Sequence, residues 1–159
     1  MEPAENSPPE ADKCDMSVTT APAVLFPWRE AYSVAIPQID QQHKQLIKLI
    51  NDMHAAMLAG NGRTTVAGIL NELVRYTESH FAAEEALLRE RGYSRLAAHQ
   101  AEHRRLFGQV RELQEKSVAG TFTASMEVMK FLKDWLANHI LSNDLAYARE
   151  FAKSATPVR

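Results

Sequence analysis

Cysteine is nearly missing from this chain. Its one copy, Cys14, excludes an intrachain disulfide framework and any metal site built from several thiolates of one chain. Long apolar runs are missing as well, and none approaches the ~20 residues of a membrane span. Basic residues are not in excess: 18 Lys and Arg face 20 Asp and Glu, so neither nucleic acid nor a membrane surface is an expected partner. The opening residues, Met1 to Met16, lack the apolar region of a secretory signal, which makes a soluble, cytoplasmic protein the default expectation. No Gly-rich phosphate loop and no β-hairpin signal occurs. What remains is 159 residues, 45% of them hydrophobic, enough for one domain with its own core.

Composition divides the chain. Residues 1–23, rich in Pro, Glu, Ala and Ser without periodicity, predict a disordered tail in which Cys14 is an incidental thiol. Residues 24–153 predict the folded domain, and residues 154–159 a short C-terminal tail. The domain begins with an apolar arm (Leu25, Phe26, Trp28, Tyr32, Val34, Ile36) that ends at Pro37 and is expected to lie across the end of the fold. Four helical stripes follow. The first is expected to start at an Asp40 cap, carry Leu46, Ile47, Ile50 and Met53, and stop at Gly60-Asn61-Gly62. The second opens at Thr64 or Thr65 and ends with Gly92 in the C′ position. The third opens at Ser94 and runs out by Gly120; the fourth opens at Thr121 or Thr123 and carries Met129, Leu132, Trp135, Leu136 and Ile140. Short turns between four long helices predict an all-α, up-down-up-down four-helix bundle.

The organising stretch is His80-Phe81-Ala82-Ala83-Glu84-Glu85. On a helix, residues four apart lie about 40° apart and one turn along the axis, so His80 and Glu84 can hold a metal from one face. His99 and His103 repeat that spacing. In an antiparallel bundle the start of the first and third helices meets the finish of the second and fourth. His43, His80, Glu84, His99, His103 and His139 therefore fall at one end, and heptad spacing aligns each histidine with its helix's apolar stripe. One such histidine reads best as a hydrogen-bonded core residue. Five beside a carboxylate make a costly buried cluster unless a cation sits among them.

Asp144 is five residues after His139, a rotation of about 140° in a regular helix. It joins the cluster only if the helix widens into a π-type turn or breaks near Ser142-Asn143; otherwise it is a solvated surface aspartate, and spacing leaves both open. His54 lies about 16 Å beyond His43 along its helix and reads as a core or boundary residue. His99-Gln100-Ala101-Glu102-His103 also matches the H-x-x-E-H pattern of zinc peptidases, but that leaves His43, His80, Glu84 and His139 unused. So many imidazoles exceed one tetrahedral zinc and suit two metals bridged by carboxylate, iron among the candidates.

Here the chain resembles the hemerythrins in their bacterial single-domain form. The resemblance rests on Trp28, Ile39-Asp40-Gln41-Gln42-His43, Tyr76 to Glu85, His99 to His103, Trp135 to His139, Asp144 and Tyr147, and it spans about Phe26 to Phe151. Ala35 and Leu88 depart from residues common in the family (Gly and Met). The resemblance implies a cofactor of two iron ions, non-haem and oxo- or hydroxo-bridged. It places His99, His103 and His139 on one iron and His43 and His80 on the other, with Glu84 and Asp144 bridging, which resolves Asp144 in favour of ligation. It implies reversible O2 binding for storage, transport or delivery to oxygen-requiring enzymes; the chain is expected to be a monomer and not itself an enzyme. A reductase of nitric oxide or peroxide, or an O2 or redox sensor, is the alternative. Phe81, Leu136 and Ile140, beside the ligands or one turn away, are expected to line the O2 pocket.

Overall fold

A computed structural model describes residues 24–154. The tail expected over residues 1–23, with Cys14, lies outside the described residues, as does the C-terminal end beyond Ser154. The helices are α1 (Pro37–Leu58), α2 (Arg63–Glu90), α3 (Leu96–Val118) and α4 (Met126–His139). α4 runs through a π turn at Ile140–Asp144 into α5 (Leu145–Ser154), so the last three segments form the fourth rod. α1 packs on α2 and α4, and α2 on α3. The Trp135 indole N–H donates to Leu106 O (3.2 Å), tying α4 to α3. This is the up-down-up-down bundle that the apolar stripes predict. Among the described residues no helix is long and apolar enough to cross a membrane.

Two helix starts differ from expectation because the capping side chain is used elsewhere. α1 begins four residues earlier than an Asp40 cap would place it, at Pro37, whose missing N–H is no loss in a first turn. Asp40 instead accepts from the Ser33 hydroxyl (2.6 Å) and from Val34 N–H (2.8 Å). Ser94 pairs with Glu150, leaving Arg95 at the start of α3. α2 starts after Gly62 with no side-chain cap, so neither Thr64 nor Thr65 caps it. The α4 cap is Ser125, accepting from Val128 N–H, rather than Thr121 or Thr123. Gly92 ends α2 as expected. With φ +66° it lets Tyr93 N–H reach Leu88 O (2.9 Å), while its own N–H reaches Arg89 O (3.1 Å), a Schellman closure.

The apolar arm runs along α1, and its last residues, Val34 and Ile36, pack into the cluster that closes one end of the bundle. Asn51 clamps the Phe26 backbone at both its N–H and its carbonyl (2.9 Å each), and Asp40 holds Ser33 and Val34 near the start of α1. Paired polar groups on α1 thus hold the arm at two points, while Phe26, Tyr32 and Val34 bury their side chains. Its Glu30–Tyr32 turn packs on the π turn. The main core, from Phe26 through Ile50, Leu73 and Leu132, fills the bundle. A second cluster of Val34, Ile39, Leu88, Tyr93 and Tyr147 closes one end.

Candidate metal centre

Antiparallel packing brings His43 and His80, His99 and His103, and Glu84, His139 and Asp144 to that closed end. All seven are at most 3% exposed. The five imidazoles turn Nε2 toward a common space. His99 and His103 Nε2 each lie 3.1 Å from Glu84 Oε2, and His139 Nε2 lies 3.1 Å from Asp144 Oδ1. His43 Nε2 lies 3.3 Å from Asp144 Oδ2, and the His43 and His80 rings are 4.9 Å apart. Two groups have potential ligand atoms within 4.8 Å of one another: Glu84, His99, His103, His139 and Asp144, and His43, His80 and Glu84. Glu84 belongs to both.

Asp144 enters through the π turn. Widening the helix over Ile140–Asp144 makes five residues close to one full turn, so Asp144 returns to the face of His139. The same turn keeps Tyr147 inward, where its hydroxyl donates to Glu84 Oε1 at 2.5 Å.

Protonation follows from burial. Burial first, then the neighbouring His43, hold His80 neutral and bring it down to about 3 against the pull of Glu84 and Asp144. Burial alone would raise Glu84, but hydrogen bonds from His103 and His99 hold it well below the usual carboxylate range. For Asp144, burial and Glu84 push upward while His139 and His43 prevail, bringing it to about 2. Burial would lower His139, but Asp144 raises it. Tyr147 is pushed up chiefly by burial and stays protonated.

The donor set fits metal. His43 Nδ1 and Nε2, His80 Nε2 and both Asp144 carboxylate oxygens are buried without a hydrogen-bond partner. Each such orphan costs roughly 1–3 kcal/mol if left unmet, and four of the five atoms face the common space. Imidazole nitrogen and carboxylate oxygen without thiolate suit iron and its neighbours.

The outer edges of the rings carry residues that sequence periodicity assigns no role. His80 Nδ1 is 2.8 Å from Gln42 Oε1, His103 Nδ1 is 2.9 Å from Glu85 Oε1, and His139 Nδ1 meets the Asn143 amide at 3.4 Å. Glu85 is about 100° round α2 from Glu84, a phase that points it out of the core; it reaches the site from the α2–α3 seam. The one cue in the sequence is adjacency, since Gln42 and Glu85 each follow or precede a ligand directly. His54 stands half-buried outside both groups, and Glu102 turns to Arg105 (2.8 and 2.6 Å), which removes the peptidase base. Phe81 stacks on His103, ring centroids 3.8 Å apart, and Leu136 and Ile140 are buried beside the site on the fourth rod. A cleft of about 400 Å³ between α3 and α4 reaches the edge of His139.

Residues 34–150 match the family model described as the hemerythrin HHE cation binding domain. A bacteriohemerythrin of Stenotrophomonas maltophilia is 39% identical over 124 residues, 78% of this chain and 80% of that protein. One of Methylococcus capsulatus is 35% identical, covering 77% of this chain and 94% of its own length. A crystal structure of wild-type hemerythrin superposes with a TM-score of 0.74 at 34% identity, covering 79% of this chain and 96% of that one.

Proposed function

The chain belongs to the hemerythrin family, and from that premise we propose that it binds O2 reversibly at a non-haem di-iron centre, as a store or carrier rather than as an enzyme. His99, His103 and His139 would hold one iron, His43 and His80 the other, with Glu84 and Asp144 shared between them. The observation that carries this reading is the pair of ligand groups joined at Glu84. When bound, two irons supply the electrons that reversible dioxygen binding requires.

The chain's own residues do the rest. Glu84 and Asp144 place two negative charges between the groups and offset part of the metal charge, without which a buried dication pair would be prohibitively desolvated. Neutral His80, its Nε2 unpartnered, is in the protonation state of a ligand. Tyr147 keeps its proton and fixes Glu84. Phe81, Leu136 and Ile140 exclude water around the rings, which favours release of the gas unchanged over protonation and loss of a reduced product.

The test is an optical titration of the anaerobic ferrous protein with O2, followed by its removal. The expected result is two irons per chain and a spectrum that returns to the starting one. Sustained consumption of O2, peroxide or nitric oxide with an electron donor, well above the rate of autoxidation, would make the protein an enzyme and sink the carrier reading.

A further inference from the structure

The backing of the imidazoles is unequal. In one ligand group, His103 Nδ1–H donates to a carboxylate, Glu85 Oε1, at 2.9 Å. In the other, His80 Nδ1–H donates to a neutral amide, Gln42 Oε1, at 2.8 Å, while His43 Nδ1 has no partner. Glu85 is itself held, because Gln100 Nε2 donates to its second oxygen at 2.9 Å. Phe81 lies flat on the His103 ring, tilted by 8°, so that ring is fixed from its face as well as its edge. The Glu85 side chain is 23% exposed, so its carboxylate carries charge at the margin of the site without sharing the inner space.

A carboxylate behind an imidazole N–H pulls that proton outward and leaves more electron density on the far nitrogen. The ring becomes a stronger donor, and the anion adds its own attraction for a cation across one ring width. A neutral amide fixes the ring and its tautomer but supplies no charge.

We propose that Glu85 is a positioning residue whose negative charge makes the three-histidine subsite the tighter of the two and lowers its potential, while Gln42 leaves the two-histidine subsite the weaker. This rests on the two-iron reading above. It assigns the subsites an order of filling: His99, His103 and His139 load first, and the pair backed by Gln42 loads second.

The experiment is a calorimetric titration of metal-free protein with ferrous iron under anaerobic conditions, repeated with Co(II), together with the reduction potential of the loaded protein. The wild type should bind in two unequal steps. Glu85→Gln keeps the shape and an oxygen that can accept from Nδ1–H, so a purely structural role would be rescued by it. The charge role predicts instead that the tight step weakens by about 10- to 100-fold, the weak step stays put and the potential rises, at unchanged melting temperature. Gln42→Glu is the opposite arm, tightening the weak step and narrowing the gap. Two steps unaffected by Glu85→Gln would overturn this proposal and leave the two-iron reading standing. A single step of one metal per wild-type chain would overturn both.

Discussion

The Tyr147 hydroxyl donates to Glu84 Oε1 across 2.5 Å, although 63 residues separate them. His99 and His103 address the other oxygen, Oε2, so the phenol holds the side of the carboxylate that the histidines leave. Tyr147→Phe removes the donor and strands a buried carboxylate oxygen. Stability of the metal-free protein should fall by about 1–3 kcal/mol and ferrous affinity by about tenfold or more. Urea unfolding and an anaerobic metal titration check the two effects; no change in either would mean Glu84 is held without Tyr147.

The arm offers a cleaner case of paired polar groups. Asn51 satisfies both backbone groups of Phe26, which is itself fully buried. Asn51→Ala should cost about 2 kcal/mol, two hydrogen bonds at roughly 1 kcal/mol each. Hydrogen exchange at the Phe26 amide should quicken much more than exchange in the middle of α2. Protection at Phe26 that survives the substitution would show that apolar packing alone fixes the arm.

Ala35 has φ +57°, a left-handed conformation that costs an L-residue roughly 1–2 kcal/mol. Glycine takes it without strain but loses more freedom on folding. Ala35→Gly should therefore stabilise the protein by about 0.5–1 kcal/mol, read as a higher urea midpoint at unchanged slope. A lower midpoint would mean the entropy of the unfolded chain outweighs the strain.

Acid should weaken the chelated, metal-free protein. His80 takes its proton near 6.5 when unfolded and only at about 3 when folded, so the unfolded state binds more protons between those values and stability falls as pH drops through that window. Asp144, lowered from 3.8 to about 2, contributes stability present above 3.8 and lost as pH falls toward 2. His139 has the opposite sign: its contribution is complete below about 6.5 and is lost as pH rises through its raised pKa. Urea midpoints measured from pH 8 down to pH 4 should pass through a maximum, and His80→Asn should flatten the acid limb. An acid limb as steep in His80→Asn as in the wild type would assign it to other groups.

Much of the fold was legible because helical periodicity repeats an apolar position every turn, and four such stripes with short turns leave few topologies. The ends of helices were less legible. Asp40 and Ser94 are good capping residues by type, but each found a better partner from another segment, Ser33 and Val34 for the first and Glu150 for the second. A cap is a local preference of about 1 kcal/mol, small enough for tertiary contacts to redirect.

By itself the sequence determined the bundle, the end at which the histidines gather, and the face shared by His80 and Glu84, because all three follow from spacing on regular helices. Asp144 was undecided by spacing, since the outcome depends on whether one turn widens, and only the folded chain contains the Ile140–Asp144 π turn that returns it to His139. The outer partners were decided by tertiary structure alone. Gln42 meets His80 across 38 residues and Glu85 meets His103 across 18, and no periodicity within one helix encodes which polar side chain of a neighbouring helix will face a ring's outer edge. Helix phase sets what points inward; the seam between two packed helices sets what stands behind it.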